Sequence, residues 1–388
     1  MEYRLQSRYR DAGFARKTLL VEKQAVHYTP QLGAVLRDRF AEIRDVRGYA
    51  KQVVEFGDIH AWHIEDAVLT DEFIVHRGAE VFVDTSILTH YHRQKNMEQV
   101  LEGFGKKIAS CTEPLICDYE NESALVIHNE GGWTWGHHVV QNFPKILLYL
   151  RRFPDGKIVV PRAFRVGAEN NFARMFEKFG ISGDRQILID KACSYKFREL
   201  VIVDFLFDFD AVMAHPMALD MLAGSRSGVA PSPWRPGAGV AIERSSEWRK
   251  VANQAACDAV LRGHAVPRRK LGAELLADQI RAWRDELFFV SVLGSDLTNI
   301  VFGQEGTRLL VLSPDWFGDA FFYNLAVAKQ MQWNELRCGA LAELHAGTKH
   351  LSSFKVDPDM LDVMLSTLAP LSRRRPSVQH LGPGEAPE

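Results

Sequence analysis

Three stretches of the chain hold residues whose types and spacing suit work on a phosphorylated ligand. In LFFVSVLGSDLTNIVF, residues 287–302, an apolar run enters Gly294, passes a short polar turn and starts a helical pattern. A strand ending there aims the first free backbone donors of the helix outward, which suits a diphosphate. The plainer account makes Ser295 or Asp296 a helix cap, and an aspartate there repels phosphate. Spacing alone weights the two accounts evenly. In VAIERSSEWRKVAN, residues 240–253, Arg244 falls at a strand end, with Arg249 and Lys250 in the first turns of an expected helix. Arginine grips phosphate oxygens with two parallel donors and keeps its charge at every physiological pH. Arg244, at the strand mouth, is the phosphate candidate, whereas Lys250 reads as solvated surface.

The third stretch is NEGGWTWGHHVVQNFPK, residues 129–145. Two glycines, two tryptophans and two histidines crowd the start of a helix. Aromatic faces stack on the C–H groups of a sugar ring, and an imidazole moves protons or donates hydrogen bonds. His137 is the candidate there, while Trp133 and His138 read as core aromatics. A metal site does not fit, because the two histidines are adjacent and lack a spaced third ligand.

These residues need elements to hold them. AVLTDEFIV and AEVFVD alternate like paired strands, and ALVIHN reads as a strand leading to the Gly-Gly turn. Gly136 to Phe153 reads as an amphipathic helix, kinked or started afresh near Pro144. KIVVP, QILID and ELVIVDFLF follow as strands around the helix AENNFARMFEKFG, which Gly180 closes. After the Gly/Pro/Ser-rich AGSRSGVAPSPWRPGAG the alternation restarts with VAIER and runs to the helix FFYNLAVAKQMQ.

This pattern predicts an α/β protein with two Rossmann-like, doubly wound domains facing across a cleft, in which open sheets bind ligands at the carboxyl ends of their strands. The expected division is an extension of helices and loops over 1–60, a first domain over 61–222 and a linker over 223–238. A second domain then covers 239–350, and a C-terminal helix with a disordered tail covers 351–388.

The totals exclude several classes. A formal net charge of -2 over 388 residues gives no support to a nucleic-acid surface. Five scattered cysteines form neither a zinc pattern nor an even disulfide framework and imply a reducing compartment. The N-terminus has no apolar core of signal-peptide type, and nowhere do eighteen apolar residues run together. The expectation is a cytoplasmic protein with no transmembrane segment, peripheral membrane association being compatible with the chain. No strand is followed by GxGxxG, so a dinucleotide-dependent oxidoreductase is disfavoured.

Taken in order, the three stretches resemble motifs of glycosyltransferase family 61. WGHHVVQNFPKILLYL is similar to the family's N-Y-x-H-W-x-x-D-x-L-P-R helix, and ERSSEWRKVANQ to its R…R-x-x-N-E segment. ADQI followed by LGSDLTNIVF is similar to E-Q-I followed by H-G-A-G-L-T-N-x-x-F. The resemblance spans residues 65 to 340 and implies a GT-B-like pair of domains, with a nucleotide-sugar donor, usually UDP-linked, held by the second. It implies inverting transfer to a glycan acceptor without a metal or other cofactor. On that pattern His137 matches the first-domain histidine, Arg244 the donor-phosphate arginine and Asn253 the helix asparagine. Gly294, Thr298 and Asn299 match the donor-side turn. The departures are Gln141 for an aspartate, His138 for a tryptophan, Lys145 after the proline, Leu293 for a histidine and Val311 for a glutamate. A glutamine is no general base, so His137, His138, Glu130 or Asp118 must supply one. The leading expectation is a transferase in cell-surface polysaccharide synthesis. The alternative, which Gln141 and Leu293 favour, is a degenerate member that binds sugar or nucleotide as a scaffold.

Overall fold

The computed structural model describes residues 4–5, 15–35, 53–71, 73–78, 80–82, 97–111, 115–127, 131–165, 170–224, 239–244, 248–315, 319–339 and 352–368. Residues 225–238 of the expected linker (223–238) and residues 369–388 of the expected C-terminal segment (351–388) therefore lie outside the described residues. Strand and helix patterns in the sequence resolve into a mixed α/β architecture with two large sheets, of nine and six strands among the described residues.

In the nine-stranded sheet, Ser194–Val203 runs parallel to Ile116–Val126, which continues through Lys157–Pro161 to Gln186–Ile189. The other half is antiparallel except at its edge: Ile59–Thr70 pairs with Ser194–Val203, Ile74–Arg77 and Glu80–Phe82 add hairpin partners, and Arg4–Leu5 lies parallel to Glu80–Phe82. The Rossmann-like sheet expected of the first unit is thus mixed, not parallel across its width. The cause is local, since Asp71 and Gly78 adopt left-handed backbone (φ 53° and 57°) and reverse the chain without a crossover helix.

The six-stranded sheet is parallel throughout. Its order is Arg268–Arg269, Val240–Ile242, Phe288–Val292, Arg308–Pro314, Gln332–Cys338 and Gln31–Val35. FFVSV is buried at every position, as a strand covered on both faces must be. One face packs Phe289, Leu309 and Val311 against Trp283 and Tyr323. The other packs Val290, Leu310 and Leu312 against Leu261 of helix Gln254–Gly263 and Leu361 of helix Pro358–Leu368.

The expected extension of helices and loops is corrected as well. Ala15–Val21 pairs antiparallel with Ile59–Thr70, Gln24–His27 pairs with Val53–Phe56, and Gln31–Val35 joins the six-stranded sheet beside Gln332–Cys338. Arg16, Lys17 and Leu19 are exposed, so ARKTLLV lacks the apolar alternation of a half-buried strand. Charges of this kind are what an edge strand carries.

The segment from Trp135 to Arg152 has three parts: a helical turn at Trp135–His137, a π-helical turn at His138–Asn142 and the α-helix Phe143–Arg152. Pro144 sits in the first turn of that helix, where it has no N–H to donate and its ring crowds the carbonyl four residues back. The wide turn before it, in which Phe143 N–H reaches the His138 carbonyl, avoids that clash. One apolar cluster runs from Leu125 and Val201 of the first sheet, through Val139, Phe143 and Leu297, to Phe289 and Val311 of the second. Among the described residues no helix is long and apolar enough to cross a membrane.

Candidate functional site

Strands Val240–Ile242 and Phe288–Val292 lie side by side and end together, which brings Arg244 to Gly294. The guanidinium approaches the glycine closely: a Cβ on Gly294 would overlap Arg244 Nη1. This close approach, rather than backbone strain, makes position 294 a glycine, because its φ of 164° is open to any residue. Arg244 Nη1 donates to the Leu293 carbonyl at 3.4 Å, and Nε donates to the Trp248 carbonyl. Gly294 is the N-cap of the 3-10 helix Ser295–Phe302, with no side-chain cap, so the simple capping account of Ser295 and Asp296 does not apply. Leu293 is buried in the core and offers the site only its carbonyl.

A cavity of about 240 Å³ opens beside this arginine at the carboxyl ends of the same two strands. Arg244, Lys250 and Gln254 line one part, and Cys257, Leu261 and Leu361 line an apolar part. Arg268 also faces it, but its charge is matched by Glu243 at 3.1 Å and Asp258 at 2.6 Å. Burial lowers the Arg244 pKa, against the pull of Asp296. Burial, then the charge of Arg244, pushes Arg249 down to about 10, against the pull of Asp319 and Asp296. The two partly buried guanidiniums repel each other, Asp296 and Asp319 offset that repulsion, and of these four only Arg244 lines the cavity. Trp248, 56% exposed, stands on the same loop.

The helix expected over residues 245–263 starts later than that. Arg249 has left-handed backbone (φ 56°), and Val251 forms a parallel bridge with Phe354, so the helix begins only at Gln254. Asn253, expected at the donor, instead spends both ends of its amide on Val356: Nδ2 donates to the carbonyl at 2.7 Å and Oδ1 accepts from the N–H at 3.0 Å. Asn253 is a structural clamp.

On the first sheet, strand Ile116–Val126 leads toward the turn Gly131–Thr134, where Thr134 N–H donates to the Gly131 carbonyl at 3.0 Å. His137 is exposed, with its Nδ1 2.7 Å from Gln141 Oε1 and its ring 6.5 Å from that of Phe321. The π-turn sends the next residue the other way. His138 is fully buried among Phe143, Phe164, Phe172 and Phe176, its two ring nitrogens have no hydrogen-bond partner, and burial pushes its pKa down to about 3. It is a neutral core ring out of reach of a substrate, which removes it from the candidate bases. Lys145 is buried with its ammonium 3.9 Å from the centre of the Phe205 ring.

The helical turn at Trp135–His137, the 3-10 helix Ser295–Phe302 and helix Leu276–Asp285 are joined by hydrogen bonds. Trp135 Nε1 donates to Asn299 Oδ1 at 2.9 Å, and Asn299 Nδ2 donates to Gln279 Oε1 at 2.7 Å. Gly136 packs so closely that a Cβ would lie 3.0 Å from Thr298 Oγ1. Thr298 and Asn299 are both buried, so they build this junction and do not present themselves to a ligand. Asp118, weighed as a base, is exposed near the start of its strand, roughly 26 Å from the strand's end at about 3.3 Å per residue. Glu130 lies outside the described residues. Val311 faces Glu335 across the sheet register, and Glu335 forms a buried ion pair with Arg337 at 2.7 Å. That pair and Leu361 went unread in the sequence, although a charged pair two apart inside NELRC was the available signal. Among the described residues no group of three or more His, Cys, Asp or Glu side chains could hold a metal.

Parallel strands end here at a crevice lined by Arg244, Lys250 and Arg268 together with Glu243, in an α/β protein. Residues 135–310 match the model of the Glycosyltransferase 61 family, so this stretch of the chain is similar to that family. The match begins at Trp135 and includes His137, Arg244, Gly294 and Asn299, and it stops before the C-terminal helix. No curated protein matches the chain. Glycosyl transfer is the activity class that the family implies.

Proposed function

We propose that the protein is an inverting glycosyltransferase that moves a sugar from a nucleotide-sugar donor, UDP-linked, to a glycan acceptor hydroxyl. The donor lies between two Rossmann-like units of GT-B type, 61–222 and 239–350, with its diphosphate on the second. The observation that carries this reading is the Arg244 guanidinium seated on Gly294 at the mouth of the cavity, with Arg249 in its field.

As the acceptor oxygen bonds to the anomeric carbon, the bond from that carbon to the phosphate oxygen breaks and charge gathers on the departing nucleoside diphosphate. Arg244 and Arg249 stabilise that charge, so the step needs no metal ion. His137 takes the acceptor proton. With Gln141 Oε1 accepting from Nδ1–H, the Nε2 lone pair is left for the substrate. Attack from the face opposite the leaving group inverts the anomeric centre. The setting is assembly of a cell-surface polysaccharide on the cytoplasmic side, with peripheral membrane contact.

A panel of nucleotide sugars with glycan acceptors tests the reading, product anomers being assigned by proton NMR. Turnover of one donor with inverted product supports it, and failure to bind any donor overturns it. Donor binding with no turnover favours the scaffold reading, for which Gln141 in place of an acidic partner to His137 is the specific observation.

A further inference from the structure

Trp133, expected in the core from its residue type, stands 43% exposed in the turn that follows strand Ile116–Val126, just ahead of the stretch matched by the family. It is nonetheless held stiffly. Its ring meets that of Phe164 at 4.9 Å and 80°, and Phe164 stacks on Phe172 at 4.5 Å and 25°. Phe172 packs in turn against Trp135 at 5.6 Å and His138 at 4.7 Å. Phe164 and His138 are buried, so Trp133 is the solvent-facing end of a ladder of rings anchored in the core. Thr134 N–H closes the turn around it by donating to the Gly131 carbonyl at 3.0 Å. An aromatic side chain fixed in this way loses little freedom when a ligand lands on it.

The same turn positions His137. A Cβ on Gly131 would come within 3.2 Å of His137 Cγ, so the imidazole lies against this glycine. Trp133 is two Cα steps of about 3.8 Å further along the chain, a separation that a mono- or disaccharide spans. His137 also reaches the second unit, its ring 6.5 Å from that of Phe321 at the start of helix Ala320–Ala328. The face of an indole carries partial negative charge, which attracts the partly positive C–H bonds along one side of a pyranose and leaves the sugar's hydroxyls to the imidazole. A membrane or protein partner needs a continuous apolar patch. Apart from Trp248, the other exposed large apolar residues among those described are aliphatic and fall on separate elements, from Leu19 to Val363. Resting on the transferase reading, we propose that Trp133 is the platform for the pyranose of the glycan acceptor nearest His137. The acceptor then enters over the first unit and meets the donor at the imidazole.

Fluorine NMR on the full chain tests this, with 5-fluorotryptophan at its eight tryptophans and Trp133→Phe assigning the Trp133 signal by its loss. Cellobiose, lactose, maltose and xylobiose are the probes. At least one is expected to move the Trp133 signal, and saturation-transfer NMR should find its contact concentrated on the C–H protons of one ring face. Trp133→Ala weakens that sugar by about tenfold and Trp133→Phe by about threefold, with UDP affinity unchanged in both. UDP alone should move the Trp248 signal and leave that of Trp133 in place. A Trp133 signal that none of the four sugars moves overturns the proposal, as does a Trp133→Ala protein with native circular dichroism that binds the sugar as well as before. A Trp133 signal moved by phosphatidylglycerol vesicles and by no sugar overturns it in favour of a membrane face. Failure to bind UDP overturns the donor reading, whereas loss of sugar contact at Trp133 overturns this proposal alone.

Discussion

Around Trp135 the polar groups are spent on one another, with indole to asparagine to glutamine in a chain of hydrogen bonds that ends on helix Leu276–Asp285. Around Arg244 the polar groups face a cavity, and the arginines are held near each other at an electrostatic cost. Both regions stand at carboxyl ends of parallel strands, and both carry family motifs. A motif residue in this protein therefore does one of two jobs. It either locks the helical elements together, as Asn299 and Thr298 do, or it meets a ligand, as the placement of Arg244 suits it to do. Substitutions in the first region should register in stability and those in the second in binding.

The largest expected effect is on acid stability. His138 and His215 are both buried, with pKa values pushed down to about 3 and about 4 by burial. His215 Nδ1 also accepts from Met217 N–H at 3.1 Å, a cap that protonation of that nitrogen would break. Each ring stays neutral when folded and takes a proton on unfolding once the pH falls below about 6.5, so stability is complete above that value and lost below it. Two such groups at about 1.4 kcal/mol per pH unit give a loss of roughly 4 kcal/mol between pH 6.5 and 5. Urea unfolding across that range measures it. His138→Phe should remove about half of the slope and leave turnover in place. A folded His138→Phe protein without turnover would return His138 to the catalytic candidates.

Asn299→Ala comes next. It strands the Trp135 indole N–H and the Gln279 amide oxygen in a dry junction, costing roughly 2–4 kcal/mol of unfolding free energy with little change in UDP affinity. A folded variant that loses UDP binding would break the division between the two regions. In the other region, Arg244→Ala should weaken UDP by about 10–150-fold, the span that corresponds to losing a charge-assisted contact of about 1.5–3 kcal/mol. Gly294→Ala should match it although the arginine is retained, because the new methyl group displaces the guanidinium. Calorimetry distinguishes the outcomes, and tight UDP binding by Gly294→Ala would show that the seat on Gly294 is not the working position. The smallest effect belongs to exposed Lys250: Lys250→Ala should weaken UDP by about two- to fivefold, and added salt should erase the difference.

Much of this arrangement was legible in the chain. FFVSV and RLLVLSP are too continuously apolar to be anything but buried parallel strands, and Gly180 and Pro144 marked where helices end and begin. Arg244 was found because a basic residue at a strand end has one natural place to go. What could not be read follows from contacts distant in sequence. The Asn253 amide looks available for a ligand until Val356, 103 positions later, takes both of its ends. His137 and His138 are neighbours with opposite fates, decided by a π-turn that no periodicity announces. The edge strand ARKTLLV was hidden by its own charges, which serve at a sheet edge and mimic a loop.

The first thirty-five residues have a consequence for how the molecule moves. Ala15–Val21 is woven into one sheet and Gln31–Val35 into the other, so the sheets are strapped together upstream as well as by the chain that passes between them at 225–238. A second crossing of the chain gives the two sheets a further covalent tether, so that relative motion between them is constrained at two points instead of one. Shortening the chain to begin at residue 61 would cut that tether and strip an edge from each sheet in one stroke.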